Sequence, residues 1–159
     1  LDASATEGEV RRSLAAARFV HVSTHGRNTS AGAAFQLVYL WPDTASDGRL
    51  HAFELLDLDL AGLEVLTLSA CESALGRFDL MDDLRGIPAS VLLRGARAVV
   101  GTLWEVDADA AHTFFAAFYR QLAQTREGVR RAFRAAQTET REAHPAWRDW
   151  GAFYLLGVS

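Results

Sequence analysis

Short apolar runs rich in β-forming residues alternate along this chain with longer segments of mixed polarity. Each run ends at turn-forming or polar residues, which is typical of β-strands. The predicted strands cover residues 20–24, 35–41, 63–69, 98–103 and 153–156. Residues 50–60 are ambiguous and predict a short strand leading into one helical turn. The run 63–69 is the most continuously apolar, as expected for a strand that is covered on both faces.

The segments between these strands carry apolar residues at helical spacing. A first helix over residues 7–18 has Val10, Leu14, Ala15 and Ala17 on its apolar stripe. Three more helices are predicted, from near Asp82 to the stop at Gly95, from a cap at Asp107 or Asp109 to about Leu122, and over residues 126–143. Strands that alternate with helices predict an α/β fold, a three-layer sandwich with a mostly parallel central sheet flanked by helices.

Composition narrows the class of protein. The chain has 159 residues, half of them hydrophobic, which predicts a single compact domain over residues 1–159. A net charge of -4 gives no basic footprint for nucleic acid or for an anionic membrane surface. No apolar run approaches the roughly 20 residues that a membrane span needs, and residues 1–9 lack the shape of a signal peptide. A single cysteine cannot form an internal disulfide, so a cytoplasmic location is the expectation.

Two of the predicted strands end at residues that can do chemistry. The first is followed by His25 and Gly26, and the strand 63–69 is followed by Cys71, the only cysteine of the chain. In an open parallel sheet, reacting groups gather beyond the carboxyl ends of the strands. If the two strands are neighbours, His25 and Cys71 emerge at the same edge. An imidazole that can approach a thiol is the minimum requirement for a thiol nucleophile.

Each of these residues also has an inert interpretation. A cysteine at the end of an apolar strand is more often a small buried residue than a nucleophile. A lone histidine there is usually a polar surface residue. Two features favour the functional interpretation. Cys71 closes its strand where backbone amides can face an oxyanion, and Gly26 lets the backbone after His25 approach a ligand. Ser23 and Thr24 are placed to help fix the imidazole ring.

Metal and nucleotide sites lack the residues they need. His21 and His25 stand four apart on a strand, which separates them by roughly 13 Å. The chain has no second cysteine, no helical zinc motif, and no lysine with which to build a P-loop. The glycine pattern of a dinucleotide fold and the nucleophile elbow of serine hydrolases are also missing. We therefore expect neither a metal nor a cofactor.

Acidic residues follow the same strand ends. Glu72 adjoins the cysteine, and Glu105 and Asp107 come directly after Trp104 at the end of the strand 98–103. Carboxylates in a partly dry cleft would favour a cationic substrate group. The alternative is that Asp107 or Asp109 only caps the following helix. Trp104 is interpreted as a packing residue or a pocket wall.

Taken in order, these motifs resemble the CHAT domain family, a bacterial relative of caspases and separases. The resemblance runs from about residue 5 to residue 157. It is carried by His25-Gly26, Ser69-Ala70-Cys71-Glu72-Ser73, the segment from Gly95 to Trp104, Phe118-Tyr119, Ala136-Gln137, His144-Pro145 and the segment from Trp150 to Phe153.

The resemblance implies a caspase–haemoglobinase fold and a protease with a Cys–His dyad. Cys71 would then be the nucleophile, His25 the general acid/base, and the amides of Gly26 and Cys71 the oxyanion hole. The S1 pocket would be lined by Ser69, Glu72, Trp104, Glu105 and Asp107. Acidic residues in that pocket suggest a basic P1 side chain, as separases prefer.

Two departures from the family pattern leave an alternative open. The family usually has Asp four residues after the tryptophan, where this chain has Ala108. Family members also usually carry an upstream strand and often helical repeats, so this chain is expected to be the C-terminal part of a larger protein. The predicted function is a cysteine endopeptidase acting on a protein or peptide substrate, with a regulatory protein or repeat domain as a further partner. The alternative is a catalytically silent module of the same fold that acts through protein contacts.

Overall fold

The computed structural model describes residues 4–27, 33–69, 86–124 and 128–157. Within these ranges the strands lie in two sheets, a central one of four strands and a smaller one of three. Their bounds are β1 Phe19–Ser23, β2 Gly26–Arg27, β3 Leu37–Tyr39, β4 Arg49–His51, β5 Val65–Ser69, β6 Ala98–Thr102 and β7 Phe153–Gly157. The central sheet has the order β1-β5-β6-β7, in which the first two pairs are parallel and the last is antiparallel. The expectation of a mostly parallel central sheet is confirmed.

Helices cover this sheet on both faces. Their bounds are α1 Glu7–Ala16, α2 Ile87–Leu93, α3 Ala108–Gln124, α4 Val129–Ala143 and α5 Trp147–Trp150, with 3-10 helices at Ala33–Phe35 and Ala52–Asp57. One buried cluster joins α1, α2 and the small sheet to one face of the central strands, and its central members are Leu14, Val38, Leu50, Leu66 and Val91. The other cluster joins α3 and α4 to the opposite face. The predicted α/β sandwich, with helices on both sides of its sheet, is therefore confirmed.

The second cluster is dominated by aromatic rings. Phe114 and Phe118 on α3 are fully buried. The Phe114 ring is stacked on that of Phe153 in β7, with 3.8 Å between ring centroids. The inward positions predicted for these helices are confirmed at Ala110, Phe114, Phe115 and Phe118 on α3 and at Phe133, Ala136 and Thr140 on α4. Burial of this aromatic layer holds the two helices onto the sheet.

Several predicted boundaries differ from those of the structure. The start expected near Asp82 lies outside the described residues; α2 begins at Ile87, after Gly86, whose positive φ of 93° a helix does not accommodate. Residues 26–27, predicted as loop, form β2 by pairing with β3. The strand expected over 35–41 is confined to Leu37–Tyr39 and belongs to the small antiparallel sheet. The helix expected from Arg126 is described only from Val129, and Ala15 is exposed and not part of the buried stripe.

Other local predictions are confirmed. Asp47 and Gly48 form a turn, in which the Asp47 carboxylate accepts a hydrogen bond from the Arg49 amide at 3.0 Å and Gly48 has a φ of 76°. A Cβ at Gly48 would lie 2.6 Å from the carbonyl oxygen of Leu40, so the turn also needs the missing side chain. The ambiguous segment 50–60 forms β4 and one 3-10 helix, as expected. Within the described ranges, no helix is long and apolar enough to cross a membrane.

Candidate functional site

The carboxyl ends of β1 and β5 lie side by side at one edge of the central sheet. The two strands are parallel, and their last register partners are Ser23 and Ser69. The Thr24 amide continues the ladder by donating to the carbonyl oxygen of Ser69 at 3.1 Å. His25 therefore stands two residues beyond the last pair on β1. Cys71, Glu72 and the amide of Cys71 lie outside the described residues.

The backbone of His25 is held by the small sheet. Its carbonyl oxygen accepts a hydrogen bond from the Tyr39 amide at 2.9 Å. The Thr24 hydroxyl donates to the carbonyl oxygen of Tyr39. The Thr24 hydroxyl therefore donates to the backbone of β3, and the expectation that Thr24 helps to fix the imidazole ring stays a prediction. The side chain of His25 is exposed at the corner where the chain passes from one sheet to the other.

Gly26 begins β2 and is the register partner of Val38. In antiparallel pairs, residues whose backbones exchange hydrogen bonds alternate with residues whose N–H groups point away from the partner strand. The bond between Tyr39 and His25 flanks the pair of Gly26 and Val38, so the Gly26 amide points away from β3. This direction is compatible with the predicted role of that amide in an oxyanion hole.

The loop after β6 opens into a groove. The groove has a volume of about 470 Å³ and is lined by Trp104, Glu105, Trp147 and Arg148. The Trp104 indole N–H donates to the carbonyl oxygen of Arg148 at 2.7 Å. The Trp104 and Trp147 rings meet edge to face, with 5.4 Å between centroids. Trp104 is therefore both a packing residue and a pocket wall, the two interpretations that the sequence left open.

Asp107 is the N-terminal cap of α3. Its carboxylate accepts hydrogen bonds from the amides of Asp109 at 2.9 Å and Ala110 at 3.4 Å. Its carbonyl oxygen accepts the first helical bond, from Ala111. The capping interpretation is thus observed for Asp107 and not for Asp109, whose side chain lies in the first turn of the helix. The Asp107 carboxylate remains exposed, so capping leaves it able to act on charges near the groove.

Comparison with known proteins identifies the family. The family model for the CHAT domain matches residues 1–158. The chain belongs to the CHAT domain family. It is 28% identical to tetratricopeptide repeat protein 28 of Mus musculus and 25% identical to that of Homo sapiens, in each case over 96% of this chain. The chain spans only 8% of the length of these curated relatives.

A solved structure shares the fold. The crystal structure of the Arg-specific cysteine proteinase gingipain R matches 97% of this chain and 35% of its own chain, with a TM-score of 0.66 and 10% sequence identity. At that identity the likeness concerns the architecture. It supports the caspase-like sandwich expected for a CHAT domain.

Only some of the site residues predicted for this CHAT domain are described, and those of the S1 pocket follow two neighbouring strands. Ser69 is half-buried at the end of β5, while Trp104, Glu105 and Asp107 follow β6, the neighbouring strand. Trp147 and Arg148 of α5 were not among the predicted site residues, since the sequence predicted no element between the helix over 126–143 and the strand over 153–156. The signal that the sequence offered was Trp147 itself, a tryptophan between Pro145 and the strand that begins at Phe153.

A polar cluster separate from the groove surrounds His21 of β1, on the face of the sheet that α3 covers. The Nδ1 atom of His21 lies 2.7 Å from the Thr67 hydroxyl and 3.3 Å from the Tyr119 hydroxyl. Its ring meets that of Phe115 edge to face. Part of the His21 residue is exposed, but this inward edge is shielded, and burial lowers the pKa of the imidazole. The described part of the chain contains no group of three His, Cys, Asp or Glu side chains able to hold a metal.

Proposed function

We propose that this CHAT domain is a cysteine endopeptidase of the caspase and separase type, with Cys71 as nucleophile and His25 as general acid/base. One observation carries the proposal, which is the register of the two strands that precede these residues. Ser23 and Ser69 are partners, and His25 and Cys71 each follow by two positions. Neighbouring strands lie about 4.8 Å apart, so the segments that carry His25 and Cys71 begin side by side at the end of the sheet, which supports the pairing of the two side chains.

The proposed reaction needs only these two side chains and backbone amides. His25 takes the proton of the Cys71 thiol, the resulting thiolate attacks the carbonyl carbon of the scissile peptide, and the oxyanion is bound by the amides of Gly26 and Cys71. His25 gives a proton to the leaving amine as the C–N bond breaks, which leaves a thioester on the cysteine. His25 then removes a proton from water, which hydrolyses the thioester and restores the thiol. No cofactor takes part.

The proposed substrate is a protein segment with a basic P1 side chain. Glu105 and Asp107 are exposed beside the end of β6, and Ser69 is half-buried on the adjacent strand. Together with Glu72 and Trp104 they would form the S1 pocket. Because curated relatives are named for tetratricopeptide repeats, a repeat domain is the proposed regulatory partner.

Labelling of the cysteine tests the dyad. Wild type and His25→Ala are treated with iodoacetamide across a range of pH, and modification of Cys71 is followed by mass spectrometry. Activation by the imidazole predicts fast labelling in the wild type that His25→Ala suppresses. Equally slow labelling of both proteins would contradict it. Incubation of wild type and Cys71→Ala with a peptide library then reports cleavage and the choice of P1.

A catalytically silent module is the second candidate. The curated relatives carry names that describe repeats and no proteolytic activity. Ala108, which replaces the aspartate usual in the family, is the first residue of α3, directly beside the candidate pocket. If Cys71 of the wild type is labelled but no peptide of the library is cleaved, this candidate is favoured.

A further inference from the structure

We propose that Trp147 of α5 contacts the substrate, and that Trp147, Trp104 and Glu105 together bind a cationic side chain of the substrate protein. The residues carried over from the family do not include Trp147. The identity of the ligand as a substrate rests on the proposed function. The binding itself is independent of catalysis and can be measured without it.

The side chain of Trp147 lies largely in water. Trp147 is 67% exposed, whereas Trp104 and Trp150 are both half-buried. A large aromatic ring that stays in water contributes little to folding, since the gain depends on the apolar area that is buried. Aromatic side chains placed in this way are typical of binding surfaces, where they supply rigid contact area.

The ring is held in place although it is exposed. The Trp104 indole donates to the carbonyl oxygen of Arg148, the residue next to Trp147. The Gly151 amide donates to the carbonyl oxygen of Trp147 at 2.8 Å and closes the single turn of α5. A Cβ at Gly151 would lie 2.7 Å from that same oxygen, so the turn requires a glycine. Rings that are already ordered lose less conformational freedom when a ligand binds.

The end of α4 anchors the same segment. His144 is the C-cap residue of α4, and its Nε2 atom lies 3.1 Å from the Thr113 hydroxyl of α3. The Gln137 amide group of α4 donates to the carbonyl oxygen of Trp150 at 3.4 Å. The end of α4 is therefore tied to α3, and α5 is tied to α4 through Trp150. The indoles of Trp104 and Trp147 form one corner of the open groove.

The lining of the groove carries one negative and one positive side chain, Glu105 and Arg148. Glu105 is the carboxylate among the lining residues, and Asp107 stands two positions further along the same loop. A cation over an indole face is attracted by the ring, and a nearby carboxylate adds Coulomb attraction. Arg148 is the opposing charge and lies on the α5 side. The ligand cation would therefore approach from the side of Glu105, between that carboxylate and the two rings.

Binding is tested in the Cys71→Ala protein with N-acetyl-arginine methylamide as probe. N-acetyl-citrulline methylamide, which has nearly the same shape but no charge, is the matched control ligand. Chemical shifts of the indole N–H groups report the titration. We expect the cationic probe to bind about fivefold more tightly than the neutral one, as one exposed cation–π contact supplies.

Three variants locate the site. Trp147→Ala should weaken binding of the arginine probe about fivefold, and Trp147→Phe by less, because phenylalanine keeps a smaller aromatic face. Glu105→Gln should reduce the preference for arginine over citrulline. Trp41→Ala, which removes an exposed tryptophan on another part of the surface, should bind as the parent protein does.

The outcomes separate this inference from the proposed function. Cation binding that depends on Trp147, in a protein whose wild type cleaves no peptide, would support the groove and count against the endopeptidase. Equal binding of the two probes, or unchanged binding by folded Trp147→Ala protein, would overturn the inference even if peptides are cleaved.

Discussion

Ser23 and Ser69 are register partners in two neighbouring parallel strands, and each stands two residues before a member of the predicted dyad. The pairing continues for one more step, through the hydrogen bond from the Thr24 amide to Ser69. The ends of the strands thus share one register up to the residue before His25. Beyond that residue the small sheet holds the backbone of His25, through the hydrogen bond from the Tyr39 amide to the His25 carbonyl oxygen.

Removal of the Thr24 hydroxyl should impair catalysis by the proposed dyad. In Thr24→Val the bond to the Tyr39 carbonyl oxygen is lost, so the backbone that carries His25 is held less firmly. We expect kcat for a cleaved peptide to fall about tenfold with little change in KM, since positioning acts on the chemical step. Thr24→Ser keeps the hydroxyl and should stay near the wild type. An unchanged kcat in a folded Thr24→Val protein would contradict this role.

Substitutions at Asp107 separate its capping role from its charge. Asp107→Ala leaves the first amides of α3 without their acceptor and should lower the free energy of unfolding by about 1 kcal/mol, measured by urea denaturation. Asp107→Asn retains a side-chain oxygen and should be nearly as stable as the wild type. The same variant removes the charge, so an effect on cleavage after basic residues would be seen in it without loss of stability. Equal destabilisation by both substitutions would refute the cap.

The hydroxyl of Tyr154 is buried in β7 with no hydrogen-bond partner among the described residues. A buried polar group without a partner costs about 1–3 kcal/mol, so Tyr154→Phe should raise the free energy of unfolding by about 1 kcal/mol at pH 7. The Tyr119 hydroxyl, in contrast, has a hydrogen-bond partner in Thr67. Tyr119→Phe should therefore lower the free energy of unfolding. Loss of stability in Tyr154→Phe would show that the hydroxyl is satisfied.

The same tyrosine predicts a pH dependence. Burial raises the pKa of Tyr154 above the ordinary value of about 10. The folded state then holds this proton more tightly than the unfolded state does. The corresponding stability is present below pH 10 and is lost as the pH rises toward the pKa of the folded state. The difference in unfolding free energy between Tyr154→Phe and wild type should therefore widen above pH 10 in urea titrations. A constant difference from pH 8 to pH 11 would rule this out.

His21 predicts a second dependence, on the acid side. Burial lowers the pKa of His21 below the ordinary value of about 6.5, so the folded state favours the neutral ring, whose Nδ1 atom lies 2.7 Å from the Thr67 hydroxyl. This contribution is present above pH 6.5 and is lost as the pH falls through the pKa of the folded state. His21→Gln should show a shallower fall in unfolding free energy between pH 7 and pH 5 than the wild type. An unchanged slope in a folded His21→Gln protein would contradict this role.

Elements whose pattern is local were predicted well. The β5 strand shows its burial in its own composition, and residues Val65 to Leu68 are all buried. The inner face of α4 follows the helical spacing of Ala132, Phe133, Ala136 and Thr140. The turn at Asp47 and Gly48 needs only a side-chain acceptor and a positive φ. Such features depend on residues a few positions apart, which a sequence displays directly.

Features that depend on distant segments were not predicted. The segment 35–41 looks like one strand, yet Phe35 lies in a 3-10 helix and only Leu37–Tyr39 pair. The sequence does not show which acceptor the Thr24 hydroxyl uses. The structure places the carbonyl oxygen of Tyr39 within its reach, and the hydroxyl donates to that oxygen. Trp147 became a groove wall because α5 docks beside Trp104, a residue 43 positions earlier in the chain.

The sequence by itself determined the alternation of strands and helices and the predicted chemistry, because hydrophobic period and residue type are properties of short segments. Tertiary structure alone decided which strands became neighbours, in what register Ser23 meets Ser69, and which side chains line the groove. Those outcomes follow from packing and hydrogen bonding between segments far apart in the chain, and no local pattern encodes them.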